Sequence, residues 1–517
     1  MQVSMFRRAG FAFLAAAVFF SALPRAHAGP GDAEIPGSAF RSYTYTYYGE
    51  PAESPLPYVA ERLLTGADIG TVPFDNPQDV YAAGDGTLFV ADTNNDRIVE
   101  IDGRFQFVRE FAGAVREDGS LAAFNKPQGV FVHRDGTIYV ADTENGRIVH
   151  MTRDGRLIRT VEKPESDILP PNFVFRPVKL AVDPLDRLHV LGLNVNQGIM
   201  EFDRSGRFEG FLAAGKVYAG PIELFWRRIS TREQLNRMAN FAPIDYSNID
   251  VDGDGFLYAT IASIDERIVR QELFTGGSEQ GAIVRKLNIL GQDILPRTGR
   301  FPQIGDVDFP PSDDVSKAYR GVAQLTDVAS AEYGVYYVLD NNRKKIFAYD
   351  GDGNLLYAFG GAGGESGGFR TPASLAVSGE RLYVADKIAG TVAVFRMTRY
   401  AKAIRDAIAL YETGEYGRSA AKWREVLKMN ANLDIAYLGI GKAEFSAGNY
   451  KEAMRLFQLA HHQAWYSMAY KEYRKTVVEA AFLPVFFSAL GLIVLIRAFN
   501  FFRNRKRKIR GDGAWQA

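Results

Sequence analysis

The chain has 517 residues, more than one typical domain, and 47% of them are hydrophobic, which is enough for a large core. The 61 Lys and Arg residues balance the 61 Asp and Glu residues, and this excludes a basic nucleic-acid-binding surface extending over the whole chain. The absence of cysteine excludes disulfide scaffolds, thiolate metal sites and cysteine nucleophiles.

The start of the chain has the composition of a secretory signal peptide. Arg7 and Arg8 form a charged start, residues 10–23 are apolar, and Ala26–Ala28 is a small-x-small cleavage site. The alternative is an uncleaved membrane anchor. We expect residues 1–28 to be removed on export.

A leader separates this signal from the first repeat. Residues 29–57 are assigned to it, and the part up to Ser42 is expected to be flexible. Tyr43–Tyr48 then alternates in the manner of a β-strand.

The chain is organised around a stretch that occurs twice, at residues 77–101 and 127–151. The copies are fifty residues apart, and fourteen of their twenty-five aligned positions are identical. Each copy has β-branched and aromatic runs separated by Asp-Gly turns, in which glycine supplies the positive φ of a tight hairpin. Four short antiparallel strands in each repeat are typical of a propeller blade.

The repeats resemble the NHL family of β-propellers, whose hallmark is a V-A-D-T-x-N-x-R-I segment. That hallmark occurs at residues 90–98 and 140–148, and degraded forms begin at Val338 and Val384. Six inner strands follow from the alignment, and they begin near Gln78, Gln128, Val178, Ser247, Thr326 and Ala373. The resemblance implies a mainly β chain with a six-bladed propeller over residues 58–398.

The last unit supplies only three strands before helical sequence begins. Tyr58–Thr65 precedes the first unit, and its Leu-Thr end, followed by glycine, resembles the ends of the outer strands. We expect this segment to be the outer strand of the sixth blade, so that the ring closes between its two ends and leaves no exposed sheet edge.

Two insertions interrupt the repeats, at about residues 215–242 and 272–319. The first contains Phe225 followed by Trp226, Arg227 and Arg228, an aromatic and basic cluster. Long insertions on repeat scaffolds often carry function, so the last three are candidate ligand-binding residues. The alternative is that the two aromatic side chains are buried against a blade.

In NHL-like propellers the residue after the Pro-x of each inner strand faces the axial channel. The residues at this position are Asp79, Gly129, Lys179, Asn248, Asp327 and Ser374. Convergent polar groups at a channel mouth form a candidate ligand-binding site. The carboxylate and amide oxygens could bind Ca²⁺, as sugar lactonase propellers do with a similar set of carboxylates and amides. Alternatively, Lys179 pairs with an aspartate and the ring is polar without any metal; no other cofactor is expected.

Several other charged residues have structural explanations. One aspartate recurs in the hallmark of four blades and is expected to accept hydrogen bonds from turn amides: Asp92, Asp142, Asp340 and Asp386. Arg97 and Arg147 are interpreted as inter-blade pairs. The segment Asp250–Gly255 begins like a calcium-binding loop, but position twelve is Ile261, so we interpret it as a hairpin turn.

Residues 399–475 have helical periodicity. Three positions recur after 34 residues, a period that resembles tetratricopeptide repeats. The matching pairs are Gly414 and Gly448, Tyr416 and Tyr450, and Trp423 and Phe457. A further helix from about Gln463 is expected to cover the second copy and to continue into an apolar segment.

Residues 480–502 are predicted to form one transmembrane helix. Residues 480–496 contain no charge, and seventeen residues is the short limit for a spanning helix. The alternative is a buried soluble helix. Six of the residues in 503–517 are Lys or Arg, and such clusters stay in the cytoplasm. We expect a single-pass protein of the cell membrane with its N-terminal bulk outside the cytoplasm.

These features favour a membrane-anchored binding scaffold over an enzyme. The propeller and helices would recruit a protein or glycan partner outside the cytoplasm, within an envelope transport or polysaccharide-assembly complex. No nucleic-acid partner is expected. The alternative is a divalent-metal-dependent sugar lactonase.

Overall fold

The computed structural model describes residues 41–166, 168–169, 172–213, 245–261, 268, 282–297, 299, 301–306, 322–363 and 367–511. The signal peptide and the candidate cluster of Trp226, Arg227 and Arg228 lie outside these residues. Both stay predictions.

Short antiparallel strands recur through the described residues as far as 397, and all but the β8–β9 pair belong to six blades. The strands as far as the third blade are β1 Arg41–Tyr45, β2 Pro51–Glu53, β3 Tyr58–Leu64, β4 Pro77–Ala82, β5 Leu88–Asp92, β6 Arg97–Ile101, β7 Phe107–Phe111, β8 Gly113–Val115, β9 Leu121–Ala123, β10 Pro127–Val132, β11 Ile138–Asp142, β12 Arg147–Met151, β13 Leu157–Val161, β14 Pro177–Val182, β15 Leu188–Gly192, β16 Ile199–Phe202 and β17 Phe208–Leu212. Those of the last three blades are β18 Tyr246–Val251, β19 Leu257–Ile261, β20 Val284–Leu287, β21 Leu325–Ser330, β22 Tyr336–Asp340, β23 Lys345–Tyr349, β24 Leu355–Gly360, β25 Pro372–Ser378, β26 Arg381–Asp386 and β27 Thr391–Met397.

The six blades form a closed ring. Their innermost strands are β4, β10, β14, β18, β21 and β25, and each contacts the next, with β25 returning to β4. In the sixth blade β3 pairs with β27, with Tyr58 opposite Met397 and Leu64 opposite Val392. This pairing joins an early strand to the last repeat, and the predicted six-bladed propeller is confirmed.

The sheets are stabilised by apolar side chains buried on both of their faces. All five residues of Leu88–Asp92 are buried, as are all five of Ile138–Asp142. The hairpins that precede these strands turn at Gly86 and Gly136, whose φ values are 83° and 86°. Glycine tolerates this left-handed conformation without strain, so the Asp-Gly pairs end the inner strands of the first two blades at the predicted place.

The described part of the leader contains two strands where one was predicted. Strand β1 pairs with β24 and β2 pairs with β1, so residues 41–53 extend the fifth blade at its outer edge. Tyr43 donates a hydrogen bond to Asp306, at 2.7 Å from Oδ1, and Lys345 Nζ lies 2.8 Å from the same carboxylate. The alternating tyrosines predict a strand, but nothing in the local sequence indicates which blade this strand joins.

The helical region begins directly after β27. Its helices are α1 Arg399–Glu412, α2 Tyr416–Met429, α3 Asp434–Ser446, α4 Tyr450–Leu459 and α5 Gln463–Gly511. Each packs against the next, and α3 accommodates two aromatic rings at its glycines. A Cβ on Gly439 would lie 2.3 Å from the indole of Trp423, and one on Gly441 would lie 2.6 Å from the ring of Phe457. The tetratricopeptide assignment stays a prediction.

The last helix is long and apolar enough to cross a membrane. The candidate span lies within residues 463–505, and its most apolar window has a mean hydropathy of 2.2 with none of it buried. This exposure does not fit the alternative of a buried soluble helix. The helix contains Pro484, which membrane helices tolerate. The helix is consistent with single-pass anchoring.

Candidate functional site

A β-bulge orients the residue at each of the six channel positions. The register of the inner hairpin shifts between Pro77 and Asp79 and at the corresponding place in the other five blades. A bulge places two residues of one strand opposite one of its partner and redirects the side chain that follows. The six predicted channel positions therefore point in a common direction.

Four of the channel side chains are connected around Lys179. Its Nζ bonds to Asp79 Oδ1 and lies 3.4 Å from Ser374 Oγ and 3.9 Å from Asp327 Oδ2. Ser374 Oγ donates to Asp79 Oδ1 at 2.8 Å. The fifth side chain, Asn248, donates through Nδ2 to Asp327 Oδ1. We call these five side chains the channel ring.

Backbone amides complete the ring and connect neighbouring blades. Val130 N donates to Asp79 Oδ2 at 2.9 Å, from the second blade to the first. Leu375 N donates to Asp327 Oδ2 at 2.6 Å, from the sixth blade to the fifth. Every oxygen of the two ring carboxylates thus accepts a hydrogen bond. Gly129, the remaining channel position, allows close approach, because a Cβ there would lie 2.6 Å from Val178 O.

Burial and neighbouring charges shift the pKa values of the channel ring in opposite directions. Burial alone would lower the pKa of Lys179, but the carboxylates of Asp79 and Asp327 raise it above its usual value. Burial raises the pKa of Asp327 to about 7, although Lys179 partly opposes this shift. The ammonium group of Lys179 compensates the negative charge of the buried carboxylates, whose burial without a counter-charge would destabilise the folded state.

The donor set does not fit a Ca²⁺ site. Calcium needs six to eight oxygen ligands, whereas the centre of this ring holds the ammonium group of Lys179. The carboxylate oxygens that could bind a cation are already used by protein donors. Within the described ranges, no group of three or more His, Cys, Asp and Glu could hold a metal ion.

The raised pKa of Asp327 makes a pH-dependent contribution to stability. The pKa of the folded carboxyl is about 7, whereas its ordinary value, expected in the unfolded chain, is 3.8. The folded state binds more protons between these values, so this contribution to the free energy of unfolding falls as pH rises. We expect Asp327→Asn to flatten the decline of the thermal midpoint from about pH 5 to about pH 8. Parallel curves for variant and parent would contradict this, and exposed Asp254→Asn is the control.

The recurring hallmark residues are structural. Asp92 accepts hydrogen bonds from Asp75 N at 2.7 Å and Arg97 Nε at 2.8 Å, and Asp142 accepts from Asn125 N at 2.7 Å. These contacts confirm the predicted role of the aspartates in satisfying turn amides. Arg97 pairs with Asp92 and Glu110 of its own blade, and Arg147 pairs with Asp142 of its own blade, so the inter-blade interpretation of both was wrong.

The channel opens towards a larger cleft. A cavity of about 190 Å³ is lined by the channel ring and by the ends of the inner strands. It shares wall residues with a cleft of about 1340 Å³ between the propeller and the helices: Ala82, Val251, Ser330 and Val377. Propeller turns form one side of this cleft, and side chains of α1, α2, α3 and α5 form the other.

The helices are fixed to the propeller beside this cleft. One continuous apolar core includes Tyr337 and Phe395 of the blades and Ile404 and Trp423 of the helices. Lys442 of α3 pairs with Asp352 in a turn of the fifth blade. The Lys442 ammonium also lies 5.2 Å from the ring centroid of Trp465, at the start of α5. The cleft therefore lies between two packed units.

The cleft could not be predicted from the sequence. Its walls come from repeats and helices that are far apart in the chain. One local signal was available: the fifth blade has Glu332-Tyr333-Gly334 where the first, second and fourth blades have Asp-Gly turns. Tyr333 is 44% exposed and adopts a positive φ of 59°, which is uncommon for a bulky residue.

Comparison with known proteins agrees with the repeat assignment. The family model for the NHL repeat matches residues 124–151. This is the second of the two strong copies. The fold is therefore a six-bladed β-propeller with one segment that matches the NHL repeat model.

Solved structures with a similar architecture have little sequence in common with the chain. Virginiamycin B lyase from Staphylococcus aureus is 11% identical with a TM-score of 0.38, over 65% of this chain and 99% of the lyase. A protein assigned to the gluconolactonases by its family is 10% identical with a TM-score of 0.37, over 67% of this chain and 94% of that one. No curated protein matches the chain significantly. Likeness of this size carries no argument about activity or ligand.

Proposed function

We propose that the protein is a membrane-anchored extracytoplasmic scaffold that recruits a protein or glycan partner through its propeller and tetratricopeptide-like helices. The observation that carries this proposal is the cleft, because both units supply its walls. The helix that carries Trp465 into the cleft also contains the candidate membrane span. A bound partner would therefore be held beside the membrane. An envelope transport or polysaccharide-assembly complex is a host that fits this arrangement.

The channel ring does not favour the lactonase alternative. A lactonase of the alternative type needs a metal ion to polarise its substrate and activate water. Here Lys179 neutralises the carboxylates that would hold the ion, and amide and hydroxyl donors use their oxygens. The ring connects blades, and its polar groups are satisfied within the fold. Calcium titration provides a direct check, because micromolar binding abolished by Asp79→Ala and Asp327→Ala would overturn this view.

Site-specific photo-crosslinking in intact cells tests the scaffold. A photoreactive amino acid replaces Tyr333, which is 44% exposed in the cleft, or Tyr48, which is 84% exposed outside it. We expect the substituted position 333 to give a discrete crosslinked product that position 48 does not give. The product should contain an envelope protein or a glycan. Identical products from both positions, or products from neither, would contradict the proposal.

A further inference from the structure

The cleft has a surplus of carboxylates. Six acidic residues line it: Asp252, Asp254, Glu332, Asp350, Asp352 and Glu412. Three basic residues line it as well, Lys286, Arg405 and Lys442, so the formal charge of the lining is 3 − 6 = −3. Each of the three bases already pairs with a carboxylate: Lys286 with Asp252, Arg405 with Glu380, and Lys442 with Asp352. The net charge favours a cationic occupant.

The cleft walls hold an ammonium group in the same way at two places. Lys286 Nζ lies 2.9 Å from Asp252 Oδ2 and 4.6 Å from the ring centroid of Phe256. Lys442 Nζ pairs with Asp352 and lies 5.2 Å from the ring centroid of Trp465. A carboxylate and an aromatic face both attract a cation, and their effects grow as water is excluded.

Two further places in the cleft have the same side-chain types. Glu332 and Tyr333 adjoin in the propeller turn, and Tyr411 and Glu412 adjoin at the end of α1, which contacts that turn. Within the described part of the chain, neither glutamate has an ion-pair partner. Burial raises the pKa of Glu412, and Asp352 raises it further against a smaller opposing effect of Lys442. A cation bound beside Glu412 would reduce the repulsion between the carboxylates of Glu412 and Asp352.

The size of the cleft favours a chain over a small molecule. Small-molecule pockets measure roughly 300–1,000 Å³, whereas this cleft measures about 1340 Å³. A neutral glycan could stack on the tyrosines, but it would leave the surplus carboxylates without compensation. An extended peptide with lysine or arginine side chains satisfies both the carboxylates and the aromatic faces.

We infer that the cleft binds a peptide segment of a partner protein that carries lysine or arginine, and that Glu332 with Tyr333 and Glu412 with Tyr411 receive its cationic side chains. The inference rests on the proposed scaffold function and specifies the chemistry of the partner. Binding of this kind depends on ionic strength, because salt screens attraction between exposed charges.

A peptide-binding assay on the full chain in phosphatidylcholine nanodiscs tests the inference. The probes are N-acetyl tetralysine amide, the corresponding tetraglutamine amide, and a neutral tetrasaccharide of N-acetylglucosamine. We expect tetralysine alone to bind, with a Kd that increases several-fold when salt is raised from about 0.05 M to about 0.3 M. The double variant Glu332→Gln/Glu412→Gln should increase that Kd by about tenfold or more, as two lost charge contacts predict.

The matched control removes two exposed glutamates outside the cleft, Glu50→Gln/Glu117→Gln. It makes the same change in net charge and should leave the Kd for tetralysine within about twofold, because single surface contacts contribute little. Equal losses in the two double variants would overturn the inference. So would tetrasaccharide binding without tetralysine binding. If the crosslink from position 333 persists in that case, the scaffold proposal stands and only the assigned chemistry is wrong.

Discussion

Replacing Tyr58 by alanine is expected to lower the free energy of unfolding by about 3–5 kcal/mol, the usual loss for a large buried aromatic side chain. Tyr58 is the first residue of β3 and is fully buried. Its ring stacks on Phe359, with centroids 5.2 Å apart, and its hydroxyl lies 2.9 Å from that of Tyr337. Because both partners belong to the fifth blade and β3 belongs to the sixth, the substitution weakens the closure of the ring.

The variant Tyr58→Phe separates packing from hydrogen bonding. It keeps the ring and removes only the hydroxyl, so the loss should be about 1 kcal/mol. Thermal unfolding ranks the parent and the two variants by stability. Hydrogen exchange in Tyr58–Leu64 and Thr391–Met397 shows whether the loss of stability lies in the strands that close the ring. We expect exchange to accelerate in both strands of the closing pair for the alanine variant. Unchanged protection there, with a midpoint equal to that of the parent, would show that closure does not depend on this contact.

The propeller could be predicted because the sequence features that specify each blade are local and recur along the chain. The hallmark segments fix the second and third strands of a blade, and Asp-Gly turns fix the hairpins, so aligned copies give the blade count. Even the fourth blade, which lacks the hallmark aspartate, keeps the inner strand Tyr246–Val251. The same approach could not assign β1 to the fifth blade, because that strand belongs to no repeat and pairs through its backbone with residues about 300 positions away.

The channel positions could also be predicted, but their interactions could not. Counting from the start of each inner strand gives the six positions, and the bulge in each hairpin makes that counting valid. Whether Asp79 binds a metal ion or pairs with Lys179 depends on the radius of the channel and on which blades lie opposite one another. The cleft was beyond prediction for a similar reason, because Tyr333 and Trp465 line the same space from distant parts of the chain.

Replacing Lys179 by methionine should destabilise the protein by about 3–5 kcal/mol, as expected when one member of a buried ion pair is removed. Methionine keeps much of the side-chain length, so the loss reflects charge more than volume. The variant leaves Asp79 and Asp327 buried without their ammonium partner, and their side chains are only 8% and 2% exposed. Desolvated carboxylates then favour protonation, so the defect should be larger at about pH 8 than at about pH 5.

Two further variants test whether the loss of charge balance causes the destabilisation by Lys179→Met. The double variant Lys179→Met/Asp79→Asn removes both members of the pair and should recover part of the lost stability, because neither charge is then left unpaired. Lys163→Met removes an exposed lysine and should change stability by less than about 0.5 kcal/mol. Thermal midpoints of the parent and the three variants across pH test all of these expectations. A Lys179→Met defect that is independent of pH and is not reduced by Asp79→Asn would assign the effect to packing, and the ring would no longer explain why the channel lacks a free carboxylate.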